Sequence, residues 1–126
     1  MQEVRKIKNF TDLTAWVEAH KLVLKVYSLT KGFPKDEQFG LVNQLRRAVV
    51  SVTSNIAEGF SRSSYKEKAQ FYSMSLGSLT EVQNQIIIAR DLDYLASDDY
   101  ASINELTILE SKLLNGLIKS SRSHDS

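Results

Sequence analysis

The chain has no cysteine among its 126 residues. This absence excludes disulfide bonds, thiolate metal ligands and a thiol nucleophile. Two histidines occur, His20 and His124, and neither stands in a Glu-x-x-His pair of the kind that builds di-metal sites in helical bundles. The sequence therefore predicts no metal centre and no cofactor. A chain without cysteine also suits a reducing compartment, so we expect a cytoplasmic protein.

Glycine and proline are scarce, with five glycines and one proline. The glycines stand alone, so the sequence offers no phosphate-binding glycine loop. It contains no nucleophile elbow and no recognisable Ser, His and Asp set. We therefore predict no catalytic residue and no enzyme activity. No apolar run approaches the roughly 20 residues that cross a bilayer, so we expect no membrane span.

A large net charge is lacking as well, because 16 lysines and arginines stand against 15 acids and give +1. The charge is unevenly spread, since residues 1–63 carry +4 and residues 64–126 carry −3. This split is compatible with one basic face or with two mixed surfaces, and the sequence leaves both open.

What the chain does have is helical periodicity. Apolar residues recur at three- and four-residue steps, and alternating strand patterns are missing. We predict helices over about residues 11–31, 35–58 and 64–95, and a fourth helix from residue 97. Short connections favour antiparallel neighbours. The predicted fold is all-α, an antiparallel up-down-up-down four-helix bundle, in a single domain over residues 1–126 with an ordered core at about 8–121.

Residues at the helix ends support these bounds. Pro34 lies just before the second helix, where its missing N–H is tolerated, and Gly59 is expected to follow the last turn of that helix. Ser64 and Glu67 form the pattern of a capping box that opens the third helix. The tail after Lys119 has no apolar anchor, so we expect it to fray.

The faces predicted to point into the core follow from the same spacing. On the first helix they are Trp16, Ala19, His20, Val23, Tyr27 and Thr30. On the second they are Leu41, Val42, Leu45, Ala48, Val49, Val52 and Ile56. On the third they are Phe71, Ser75, Ser78, Leu79, Val82, Ile86 and Ala89, and on the fourth Ile103, Leu106, Leu113, Leu114, Leu117 and Ile118.

Three further features extend beyond a plain bundle core. A polar ladder runs beside the core stripe of the second helix and comprises Gln44, Arg47, Ser51, Asn55 and Glu58. A second apolar flank comprises Phe39, Val50, Leu76, Ile87 and Tyr94, which form either an oligomer interface or part of a wide core. Glu110 falls within the apolar face of the fourth helix and needs a partner, for which His20 or Arg90 is a candidate.

Short motifs occur in a fixed order along the chain: Trp16, FGL at 39–41, LRRA at 45–48, SNIAEG at 54–59, Arg62, LGS at 76–78 and LNGLIKS at 114–120. With these motifs the chain resembles the 23S ribosomal RNA intervening-sequence proteins, over about residues 8–121. The resemblance implies a bacterial four-helix bundle that assembles as a ring-like homopentamer. The architecture is also similar to accessory proteins of diversity-generating retroelements, which favours RNA or a nucleic-acid-processing protein as partner.

The predicted RNA-binding residues lie near the junction of the second and third helices: Arg46, Arg47, Arg62, Lys66 and Lys68. Their cations would contact phosphates without reading sequence. In the alternative, Arg47 pairs with Glu58 or with a neighbouring chain and the lysines are only solvated. The sequence thus leaves two functions: an RNA-binding assembly, or an oligomeric protein-binding scaffold with no direct nucleic-acid contact.

Overall fold

Four long α-helices make up most of residues 6–124, which are the residues that the computed structural model describes. The helices are α1 (Thr14–Thr30), α2 (Leu41–Ser61), α3 (Tyr65–Asp91) and α4 (Ser97–His124), and single 3-10 turns lie at Phe10–Asp12 and Lys35–Glu37. The described range contains no strand. The prediction of an all-α fold with four helices is confirmed.

Helices that are adjacent in sequence pack side by side, and α4 closes the bundle against α1. Contacts between neighbouring helices pair rising residue numbers on one helix with falling numbers on the next. The pairs that show this are Ser51–Ser78, Gly59–Tyr72, Gln83–Thr107 and Arg90–Tyr100. Both α2–α3 and α3–α4 are therefore antiparallel pairs.

The core stripe of α2 lies as the sequence predicts, since all seven of its residues are buried. α3 buries five of its seven predicted residues, Ser75, Leu79, Val82, Ile86 and Ala89, and leaves Phe71 and Ser78 partly exposed. α4 buries Ile103, Leu114 and Ile118, and its remaining predicted leucines pack against the edge of the core. The prediction holds best where one face of a helix is uniformly apolar.

The buried face of α1 differs from the prediction. The structure buries Ala15, Ala19, Leu22, Val26 and Thr30, so the true face is rotated towards Leu22. Trp16 lies at the edge of the core, where its ring stacks on the exposed His20 at 4.8 Å between centroids. The prediction that His20 faces the core is therefore wrong. α1 has apolar residues on both flanks, and spacing alone does not choose between them.

α2 begins later and ends later than predicted. Residues 35–37 form a separate 3-10 turn, and Gly40 with φ −111° and ψ −111° interrupts the backbone before the helix starts at Leu41. At the other end the helix continues through Gly59, which is buried and is not the residue after the last turn. A Cβ at Gly59 would lie 2.7 Å from a ring carbon of Tyr72, so this glycine permits the close approach of α3.

The ends of α3 and α4 also depart from the prediction. The Ser64 hydroxyl accepts the Glu67 N–H at 3.2 Å as a helix cap, but the Glu67 carboxylate accepts the Ser64 hydroxyl and not its backbone N–H. α3 ends at Asp91, before the predicted Leu95. α4 continues to His124 and buries Ser121. The prediction that the tail frays after Lys119 is therefore wrong for residues 120–124. The last two residues of the predicted tail lie outside the described range.

Candidate nucleic-acid interface

Arg46 is the predicted cation most closely tied to the bundle. Its Nε donates to the Thr30 hydroxyl at 3.0 Å, and its Nη2 donates to the Tyr27 carbonyl at 3.4 Å. The guanidinium also lies 4.5 Å from the centroid of the Tyr27 ring. These contacts join α2 to α1. Arg46 therefore has a structural role in this chain, whatever else it contacts.

Arg62 and Lys68 are also engaged by the protein itself. Arg62 Nη2 lies 3.0 Å from the Glu58 carboxylate, and its guanidinium lies 4.6 Å from the centroid of the Phe71 ring. Lys68 Nζ donates to the Phe60 carbonyl at 2.6 Å. Both cations secure the turn between α2 and α3. Since Glu58 pairs with Arg62, the alternative in which Glu58 pairs with Arg47 is wrong for this chain.

Arg47 and Lys66 differ from the other three predicted cations. Neither side chain makes a hydrogen bond or an ion pair with any residue of the described range 6–124, and both are exposed. Lys66 borders a groove of about 570 Å³ between α3 and α4, and Arg122 lies on the same groove. Two of the five predicted cations are thus available to a ligand without breaking a contact.

A second groove lies between α2 and α3, and Arg47 stands on its rim. This α2–α3 groove has a volume of about 420 Å³ and is lined by Asn43, Gln44, Arg47, Ala48, Ser51, Ser78, Glu81 and Gln85. On its lining, Ser51 and Ser78 share a hydrogen bond of 2.8 Å. All the lining side chains except Ala48 are polar. Three residues of the polar ladder, Gln44, Arg47 and Ser51, therefore border this groove, and Ser51 also joins α2 to α3.

The sequence did not identify the α3 side of this groove. Ser78, Glu81 and Gln85 follow one another at steps of three and four, which is the same spacing that marked the polar ladder on α2. That spacing was a usable signal. Its meaning depends on the pairing of the two helices, because only the antiparallel contact brings the two polar rows together.

The residues predicted as an oligomer interface fall into two groups. Phe39 is 93% exposed, and Val50 and Ile87 are also exposed. Leu76 and Tyr94 are partly buried against this chain's own core, and the Tyr94 hydroxyl donates to the Glu37 carboxylate at 2.9 Å. The hydrogen bond from Tyr94 to Glu37 raises the pKa of the Tyr94 phenol. The interface itself stays a prediction.

Glu110 is the most unusual polar residue of the core. Its side chain is 0% exposed, and neither carboxyl oxygen has a hydrogen-bond partner within residues 6–124. The predicted partners are elsewhere: His20 stacks on Trp16, and Arg90 pairs with Asp91 at 2.9 Å. Burial, with a smaller contribution from the Glu18 carboxylate, raises the pKa of Glu110 to about 9. The group is therefore neutral at pH 7.

The described residues hold no cluster of three histidine, cysteine or acidic side chains that could bind a metal ion. Over the same part of the chain, no helix combines the length and apolar character required to span a bilayer.

Comparison with known proteins supports the sequence resemblance. The family model described as "23S rRNA-intervening sequence protein" matches residues 11–116. The chain belongs to this family. The match takes in all of α1, α2 and α3 and most of α4. No curated protein matches the sequence of this family member.

A solved structure of another protein has the same fold as this chain. It is a protein of unknown function from the S23 ribosomal protein family of Bacteroides thetaiotaomicron, with a TM-score of 0.78 and 20% sequence identity. The alignment covers 84% of this chain and 99% of that one. At this identity the likeness supports the fold alone.

Proposed function

We propose that this chain is a non-enzymatic, self-assembling bundle of the bacterial cytoplasm that binds RNA through basic residues. The observation that carries the proposal is the pair of unpartnered cations, Arg47 and Lys66, each beside a groove. The family description connects these proteins with sequences that intervene in 23S rRNA, which supports RNA as the ligand. Arg46 lies beside Arg47, and Arg62 and Lys68 lie near Lys66, so these cations add to the local positive potential.

Assembly into an oligomer would strengthen the proposed RNA binding. A single bundle has a net charge of only +1, so we expect its affinity for phosphates to be weak at physiological salt. In the ring-like homopentamer that the family resemblance implies, each cation would be repeated around the ring. Linked weak sites then bind together with much greater avidity. Native mass spectrometry tests the assembly, and a monomer at micromolar concentration would contradict it.

RNA binding is tested by the salt dependence of affinity. Single-stranded RNA bound to the wild type should dissociate as the salt concentration rises. In a plot of the logarithm of the binding constant against the logarithm of the salt concentration, the steepness should fall by about 0.7 for each phosphate contact removed per subunit. Arg47→Ala and Lys66→Ala should each reduce affinity and slope. The matched control is Lys112→Ala, because Lys112 is exposed on α4 away from both grooves. Equal slopes for all four proteins would refute the assignment of these cations.

The second candidate function is an oligomeric scaffold that binds a protein and makes no direct contact with nucleic acid. Phe39 favours it, because its side chain is 93% exposed just before α2 and is free to be covered by a partner. Phe39→Ser should leave the bundle folded and abolish binding of the partner protein. Copurification with and without nuclease separates the candidates, since a protein partner of the scaffold survives RNA digestion.

A further inference from the structure

The α2–α3 groove holds opposite charges that do not meet. Arg47 on α2 and Glu81 on α3 line the same groove, yet neither forms an ion pair with the other or with any other residue in the described range. By contrast, the exposed charges of Glu58 and Arg62 pair with each other at 3.0 Å. An unpaired cation and an unpaired anion across a groove fit a ligand that carries both an anionic group and N–H donors.

Amide side chains supply the remaining hydrogen-bonding groups. Asn43 and Gln44 have no hydrogen-bond partner in residues 6–124 and stand beside Arg47. Gln85 is only 8% exposed, and its amide oxygen has no donor among the described residues. A buried amide oxygen without a partner costs free energy. Reorientation of the Gln85 amide towards a ligand in the groove would remove that cost.

We propose that the α2–α3 groove is a nucleotide subsite for a guanine base, in which Glu81 accepts N–H groups of the base and Arg47 binds the adjacent phosphate. This inference rests on the proposed RNA binding and specifies which part of the RNA the groove takes. The volume of about 420 Å³ is sufficient for one nucleotide. Single-stranded RNA presents such unstacked bases to proteins.

The carboxylate decides the choice of base. A carboxylate beside an RNA strand repels phosphates, so it favours binding only where it accepts hydrogen bonds. Guanine alone among the four bases presents two parallel N–H donors, N1–H and an N2–H, on its Watson–Crick edge, and these match both oxygens of Glu81. Adenine and cytosine offer one amino group there, and uracil offers one N–H. The amide groups of Asn43, Gln44 and Gln85 are then available to the acceptors of the base.

The test compares four single-stranded oligouridines that carry guanosine, inosine, adenosine or uridine at one central position. By fluorescence anisotropy, the wild type should bind the guanosine oligomer about 10-fold more tightly than the uridine oligomer, as a bidentate base contact implies. Inosine lacks the 2-amino group and should lose most of this preference. Glu81→Gln should abolish the preference without weakening binding to the uridine oligomer, whereas Glu105→Gln, an exposed position on α4, should leave both unchanged.

The possible failures are distinguishable. Equal binding of guanosine and uridine oligomers, with normal salt dependence, would overturn the guanine subsite and leave RNA binding intact. A guanosine preference that survives in Glu81→Gln would also overturn the subsite. If the wild type binds none of the oligomers at low salt, the proposed function fails, and the subsite fails with it.

Discussion

Replacing Glu110 by leucine is expected to stabilise the bundle by an amount that grows with pH. In the folded chain burial raises the pKa of Glu110 to about 9, whereas the unfolded value is near 4.5. The folded state therefore binds the proton more tightly. The stability that the wild type loses by burying Glu110 is absent below the unfolded pKa. This penalty increases by about 1.4 kcal/mol per pH unit above the unfolded pKa and levels off above the folded pKa. At pH 7 it amounts to roughly 3 kcal/mol.

Urea denaturation followed by far-UV circular dichroism measures this penalty. The difference in unfolding free energy between Glu110→Leu and the wild type should widen by about 4 kcal/mol between pH 5 and pH 8. Glu105→Leu controls for the loss of a negative charge on α4, because Glu105 is exposed. A difference that stays constant across this pH range would show that Glu110 is not held neutral in the core, and the reasoning would fail.

Three further predictions concern contacts between and within helices, and the urea midpoint measures each. Gly59→Ala should destabilise the bundle by about 1–3 kcal/mol, because the added Cβ would meet the buried ring of Tyr72 at 2.7 Å. Gly77→Ala is the control and should stabilise by about 1 kcal/mol, since its Cβ meets nothing within 4 Å; equal effects would contradict the packing explanation. Ser64→Ala should cost about 1 kcal/mol through the lost helix cap, and Ser64→Asp should restore it. Arg46→Ala should cost about 1–2 kcal/mol, and an unchanged midpoint would mean that its contacts to α1 contribute nothing.

The sequence predicted α2 most accurately because its stripe is uniformly apolar and its polar residues lie on one side. It misplaced the face of α1, where Trp16 and Leu22 compete for the core and only the positions of α2 and α4 decide between them. It also placed the start of α2 too early. Residues around Glu37 have the composition of a helix N-terminus, but they form a 3-10 turn. From that turn Glu37 accepts the Leu41 N–H at 3.3 Å and the Tyr94 hydroxyl at 2.9 Å.

The sequence suggests which cations form the candidate site, but it does not show which of them are available to a ligand. The sequence placed all five cations near the junction of α2 and α3. In the structure Arg62, Lys66 and Lys68 lie there, whereas Arg46 and Arg47 lie near the start of α2. Whether a given cation is free depends on residues distant in sequence, as when Thr30 accepts from Arg46. The groove was missed for the same reason, because its two polar rows meet only after α2 and α3 have paired. Glu110 shows the reverse case: the sequence identified it as buried, but the partners proposed for it face elsewhere.

The short turn between α2 and α3 has a consequence for the order of folding. Only residues 62–64 separate these helices, whereas residues 31–40 separate α1 from α2. Closing the shorter loop costs less chain entropy, so contacts such as the hydrogen bond from Ser75 to the Val52 carbonyl should form in the transition state. Leu79→Ala should then slow refolding, while Leu22→Ala in α1 should mainly accelerate unfolding. The α2–α3 hairpin that carries the groove would thus be the nucleus on which the rest of the bundle assembles.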